Sequence, residues 1–302
     1  MHIVIIDIVQ SIGSGILVGL VYALLGLSIV IIFRASGTFN FAVGQLLVIG
    51  TFLFYTLFAR QALPLIIAFP LGLLTAGIAG AVIEHLTIKP LIGRDPIFMT
   101  KATLGLFFLL SAFIQFVLKY IGSSGWSPLN LPDITFKMSR LFFLSEQIWA
   151  GLLSLLTFGL VIIFLLGTRW GLAVRAVSEN QTIATAFGIN ARFILMITWS
   201  VSAMCVAVAG IMISNFGVFS TSLAQVGFRA IPVVLIGGMD SIRGAFIAGI
   251  AIGIFESLTA AYIEPLGLIG FKEVAAYIIL LIMLFIRPYG LYAFNSIPPN
   301  NK

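Results

Sequence analysis

Eight apolar runs of 15 to 26 residues follow one another along this chain, and most are as long as a helix needs to cross the hydrocarbon core of a bilayer. They fall at roughly 8–33, 41–59, 64–86, 102–120, 146–167, 193–214, 244–263 and 273–287; a ninth run, about 228–238, is too short to cross alone. The fold expected is an all-α polytopic membrane protein with about 8–9 transmembrane helices and one or two broken or re-entrant segments. Composition agrees: of 302 residues 61% are hydrophobic and 9% charged, too few polar side chains to cover the surface of a soluble fold of this size.

The net charge of +6 does not point to nucleic acid, because the basic residues stand singly at the ends of apolar runs. With the loop at 168–192 placed in the cytoplasm, ten Lys/Arg fall inside and six, among them Arg229, fall outside. That bias puts the N-terminus outside and the C-terminus inside if 228–238 counts as a crossing. Met1-His2 lacks the basic start of a cleavable signal, so the first run is expected to stay as an anchor. The lone Cys205 allows no disulfide within the chain.

Two stretches should interrupt helices. Ser36–Gln45 holds Asn40 and Gln45, whose amides need partners, with Gly37 and Gly44 permitting irregular backbone. Polar groups at membrane depth face the protein interior or a cavity, so this stretch reads as part of a solute path or as a cytoplasmic turn after Arg34. Ile236–Gly244 reads as a turn, with Asp240 and Arg243 spaced to pair and the Pro232 run before it shaped as a half-helix. The segment 121–144, with Trp126, Pro128 and Pro132, reads either as a connecting loop or as a surface for an external partner. Gly15 with Gly19, and Gly249 with Gly253, lie four apart, a spacing for close helix packing within one subunit.

The loop at 168–192 is the most informative. Ser178 and Gln181 have capping-box spacing, Glu179 falls in the first turn, and Gly188 suits a left-handed stop. The spacing predicts a short cytoplasmic helix over about 179–187 with Ile183, Ala184 and Phe187 on one face. Such a helix packs on its own membrane domain, on the bilayer surface, or on a partner protein that moves it.

Chemistry within the chain is sparse. No Gly-x-x-x-x-Gly-Lys-Ser/Thr phosphate loop and no His-Glu-x-x-His is present, and the only histidines are His2 and His85. Glu256 is the clearest ionisable mid-span residue, the type a secondary transporter or channel would use, although it is expected to bond within the bundle; Glu84 stands near a span end. No catalytic or metal-binding residues are assigned.

Over nearly its whole length the chain resembles the LivH-type permeases of branched-chain amino-acid ABC importers. The resemblance rests on Gly19–Leu24, Asn40-Phe41-Ala42 with Gly44, Glu84 with Pro90-Leu91, Gly171, Arg175-Ala176, Glu179, Ala184, Gly188-Ile189, Gly237-Gly238 with Ser241 and Gly244, Gly253 with Glu256, and Arg287-Pro288 with Gly290-Leu291. It implies a single transmembrane permease domain over 1–295 with a short tail at 296–302, in a bacterial inner membrane. It implies a LivM-like second permease subunit, two cytoplasmic ATP-binding subunits carrying ATP and Mg, and a periplasmic solute-binding protein, with no cofactor on this chain. It implies a solute path at Phe39, Asn40, Phe41, Gly44, Gln45, Gly237 and Gly238. ATPase coupling is implied at Arg175 and Glu179 on the docking edge, with Ala184, Phe187 and Gly188 in the groove. Many relatives have His at Val43, Glu at Gln45 and Gly at Asp240, departures that open amides, urea or aromatic solutes as alternatives to an amino acid.

Overall fold

The structure is a computed structural model that describes residues 2–121, 129, 131–132, 134, 136–138, 141–215, 223–268, 270–288 and 290–292. Helix α1 (His2–Ser36) is followed by an extended stretch and α2 (Val43–Tyr55), which widens into a π-helical turn at Thr56–Arg60. α3 (Leu65–Thr87) and α4 (Pro96–Ile121) come next, with a 3-10 turn at Lys89–Leu91 between them. A small antiparallel hairpin of β1 (Phe136–Met138) and β2 (Leu141–Phe143) precedes α5 (Ser145–Gly167). Two short helices, α6 (Arg169–Glu179) and α7 (Gln181–Ala186), separate α5 from α8 (Ala191–Ser214). α9 (Leu223–Val226) passes through a 3-10 turn at Gly227–Arg229 into α10 (Ala230–Gly237), and α11 (Ile242–Tyr262) and α12 (Phe271–Ile286) follow.

Among the described residues six helices are long and apolar enough to cross a membrane: those over Ile6–Ser36, Leu65–Leu91, Pro96–Tyr120, Ser145–Gly167, Ala191–Ser214 and Ile242–Leu266. The apolar helices at Val43–Ala59 and Leu223–Gly237 are shorter. The chain is therefore a mostly helical, multi-pass membrane protein.

The six are not equivalent. The apolar windows of α1 and α8 are 78% and 72% buried, whereas the others are a third buried or less, so α1 and α8 form the centre and the rest surround them. A helix apolar all round is suited to that central place. The outer helices turn large apolar side chains outward, such as Phe108, Phe113 and Phe116 on α4, onto a surface that only lipid or another subunit can cover.

The paired glycines pack α1 on α11. A Cβ placed on Gly15 would lie 2.5 Å from Cα of Ile254, and one on Gly19 would lie 2.7 Å from Cα of Ile250. A Cβ on Gly249 would lie 2.5 Å from the backbone nitrogen of Ala23. The two backbones touch along about two turns, so the small-residue spacing serves packing within the subunit as expected.

Arg229 is not a free charge. Its guanidinium donates to Glu256 at 2.9 Å and to the Tyr22 hydroxyl, and reaches Glu273 at 3.4 Å. It is an interior tie between the turn before α10 and helices α1, α11 and α12 rather than a free charge in an outer loop, because a charge beside an apolar core is held by partners. Glu256 bonds within the bundle, as its mid-span position led one to expect. Asp240 and Arg243 are not within ion-pair distance; Ser241 caps α11 instead, its hydroxyl accepting from the Gly244 N–H at 2.9 Å. Trp126, Pro128 and the tail 296–302 lie outside the described residues.

Candidate functional site

The stretch between α1 and α2 is non-helical and buried. Gly37 turns the chain out of α1 with φ of +68°, a conformation that glycine adopts without steric cost. Thr38, Phe39, Asn40 and Ala42 are all buried. The Thr103 hydroxyl of α4 donates to the Phe39 carbonyl at 3.0 Å, two residues past the exposed Lys101. The stretch is therefore packed inside the bundle, against the start of the 102–120 run.

Buried irregular backbone survives only where its polar groups find partners. Side chains supply them here. The Ala42 N–H donates to Oδ1 of Asn40 at 2.9 Å, the Thr38 N–H to Oγ of Ser36 at 3.3 Å, and the Phe41 N–H to the Thr103 hydroxyl at 3.4 Å. Nδ2 of Asn40 is buried with no partner among the described residues. The Phe39 and Phe41 rings meet at 4.7 Å between centroids.

Gly44 has a different role from the one its spacing suggests. It is an ordinary helical residue of α2, and its missing side chain admits the Ala224 carbonyl of α9 and the backbone of Gly227. Two interrupted segments, 37–55 and 223–237, thus meet backbone to backbone at Gly44. Gln45 is buried one residue further on. Gly237 and Gly238 lie elsewhere: they close the α10–α11 turn against Gly244 and Gly290, and Gly238 takes φ of +103°. The residues brought together with Phe39–Gln45 are Thr103, Ala224 and Gly227, none of which the sequence singles out. A lone threonine in an apolar span carries no signal of its partner, and small residues before Pro232 read only as a short apolar run.

The second candidate element is the loop between α5 and α8. It forms two helices where the spacing predicts one. Thr168 caps α6 by accepting from the Gly171 N–H at 3.0 Å. Ser178 is inside α6, its hydroxyl bonded back to the Arg175 carbonyl at 2.8 Å, so it is not the cap of the following helix. The cap is Asn180, whose Oδ1 accepts from the Ile183 N–H at 3.0 Å. Asn binds its own backbone at least as well as Ser at such a position, which moves the start to Gln181. Glu179 consequently ends α6 instead of opening the next helix.

The stop is as expected. Gly188 has φ of +83°, and the N–H groups of Gly188 and Ile189 return to the carbonyls of Thr185 and Ala184 at 3.0 and 3.1 Å. Ala184 faces inward and is buried, while Ile183 and Phe187 stay 56% and 84% exposed, one turn apart. The apolar face therefore splits: its small residue packs on the bundle and its two large ones point away from it. Beside them a groove between α6 and the α7–α8 turn is lined by Trp170, Gly188, Ile189 and Phe193. Arg175 does not share that surface. It lines a cavity with Arg34 and Arg243, and its Nε is buried with no partner among the described residues.

Comparison with known proteins gives this geometry a context. The family described as branched-chain amino acid transport system / permease component matches residues 11–287. The chain is 26% identical to the high-affinity branched-chain amino acid transport system permease protein LivH of Escherichia coli (strain K12), over 93% of this chain and 94% of that one. It is 27% identical, with the same coverage, to the corresponding protein BraD of Pseudomonas aeruginosa. A shorter likeness, 31% over 39% of this chain and 35% of the relative, is to the galactofuranose transporter permease protein YtfT of Escherichia coli (strain K12). No solved structure matches the chain significantly. With the match running from the first helix to the last, this chain belongs to the branched-chain amino-acid transport permease family and is a membrane permease subunit.

Proposed function

We propose that the chain is one of two membrane-spanning subunits of a bacterial inner-membrane ABC importer, moving a branched-chain or other hydrophobic amino acid inward. The solute comes from its relatives, which are named for branched-chain amino-acid transport. The observation that carries the coupling is Phe187, 84% exposed beside Ile183 on a helix of only six residues. A helix that short does not hold itself in water, and two large apolar side chains on its outer face fit a protein partner. In this reading two ATP-binding subunits dock there, hydrolyse ATP with Mg, and move α7 and α6 against α5 and α8. A LivM-like subunit completes the path beside Phe39–Gln45, and a periplasmic solute-binding protein loads it. The chain itself carries out no hydrolysis and needs no cofactor.

A second reading concerns the solute alone. The start of α2 carries Val43 and Gln45, both buried within this chain, and no ionisable side chain stands in 37–45. Such a lining suits an uncharged solute such as an amide or urea as well as an amino acid whose charged ends are handled elsewhere. Uptake of labelled leucine, acetamide and urea by vesicles holding the assembled transporter, with and without ATP, separates the two. ATP-dependent leucine uptake supports the first; uptake of the amides without leucine supports the second.

A further inference from the structure

At the end of the bundle that carries α6 and α7, three arginines from three helices converge on one cavity of about 420 Å³. Arg34 comes from the last turn of α1, Arg175 from α6 and Arg243 from the first turn of α11. Among the described residues none of the three is within ion-pair distance of a carboxylate. Asp240 is the only acidic residue in the lining, so the cavity keeps a net charge of +2. Nε of Arg175 is fully buried and unbonded, which leaves a donor inside a charged group with nothing to receive it. The positive end of α11 faces the same cavity through Ser241 and Ile242.

The cavity is not polar throughout. Ile31, Ile162, Leu165 and Leu166 also line it, and Leu166, 63% exposed, carries that apolar lining to the outer surface of α5. A ligand that fits has a negative head and an apolar body. We propose that this cavity binds an anionic phospholipid of the cytoplasmic leaflet, its phosphodiester held by Arg34, Arg175 and Arg243 and its acyl chain laid along Ile162 and Leu166. Guanidinium groups match phosphate oxygens two by two, and basic pockets between helices on the cytoplasmic side suit such headgroups. A lipid there ties α1, α5, α6 and α11 together beside α7.

The test uses the assembled transporter, purified in detergent and stripped of lipid. Native mass spectrometry counts lipid retained per complex after adding phosphatidylglycerol or phosphatidylcholine, and thermal unfolding is followed with each lipid and with inorganic phosphate. The double variants R34Q/R243Q and R34K/R243K are compared with the unaltered protein; the second keeps the topology-setting charge if the first fails to assemble. Phosphatidylglycerol is expected to be retained and to raise the unfolding midpoint while phosphatidylcholine does neither. Retention should fall about tenfold or more in R34Q/R243Q and less in R34K/R243K, which keeps charge without the planar fork. Equal retention of the two lipids, or unchanged phosphatidylglycerol retention in both variants, overturns the proposal. So does a full stabilisation by inorganic phosphate alone, which would make the ligand a soluble anion. Loss of the ATP-binding subunits from the variants with lipid retention intact would make the cavity a protein contact, and also overturns it.

Discussion

The guanidinium of Arg229 donates to the carboxylate of Glu256 at 2.9 Å, joining the turn that opens α10 to the middle of α11. Tyr22 of α1 donates to the same carboxylate oxygen at 2.7 Å. Three elements thus share one largely buried charge pair. Removing one partner of a buried pair leaves the other uncompensated, at a cost of about 3–5 kcal/mol. Arg229→Ala and Glu256→Ala should each lower the unfolding midpoint of the purified subunit sharply. The double variant R229Q/E256Q should recover part of the loss. Equal stability of the two single variants and the native chain in thermal unfolding would contradict the tie.

Gly15 and Gly253 fix how near α1 comes to α11. Gly15→Val puts a branched side chain where Ile254 backbone already sits, and overpacking of this kind costs about 1–3 kcal/mol or more. Gly105 and Gly159 provide the contrast, because a methyl group added at either would meet nothing within 4 Å. Gly105→Ala and Gly159→Ala should be neutral or stabilising by up to about 1 kcal/mol, since alanine is the better helix former. Unfolding midpoints of these three single variants test the difference.

Thr103 holds the non-helical stretch at both Phe39 and Phe41. Thr103→Val keeps the shape of the side chain but removes the partner of the buried Phe39 carbonyl, at about 1–3 kcal/mol, and of the part-buried Phe41 N–H. Solute uptake per assembled complex should fall more than assembly does. An uptake rate that stays proportional to the amount of complex would show that the stretch is only structural.

Gly188 ends α7 in a left-handed turn. Gly188→Val forces a β-branched residue into that turn and should cost roughly 1–3 kcal/mol locally. Because nothing lies within 4 Å of the position, the effect is one of backbone conformation, not of space. Co-purification of the ATP-binding subunits should weaken while the unfolding of the membrane helices changes little.

The fold was legible wherever it rests on length and apolarity. Six of the eight expected spans, the glycine pairs of α1 and α11, and the stop at Gly188 follow from local spacing, whereas the runs at 41–59 and 273–287 form the shorter helices α2 and α12. What was not legible depends on partners distant in the chain. Arg229 reads as a loop charge because nothing near it in sequence announces Tyr22 or Glu256. Asn180 and Ser178 are both good caps, and only the continuation of α6 through Glu179 decides between them. Gly44 shows a residue type without showing its use, since Ala224 and Gly227 lie far along the chain. Arg34, Arg175 and Arg243 read as three separate topology charges until the helices bring them to one cavity.

The most direct test is transport by the assembled complex in proteoliposomes, with labelled leucine, the solute-binding protein outside and ATP inside. The account predicts accumulation that needs ATP hydrolysis, and predicts that Phe187→Asp abolishes both accumulation and the co-purification of the ATP-binding subunits while the membrane subunits still assemble. Accumulation by the membrane subunits alone on a proton or sodium gradient, or full ATP-driven uptake by the Phe187→Asp complex, would contradict it.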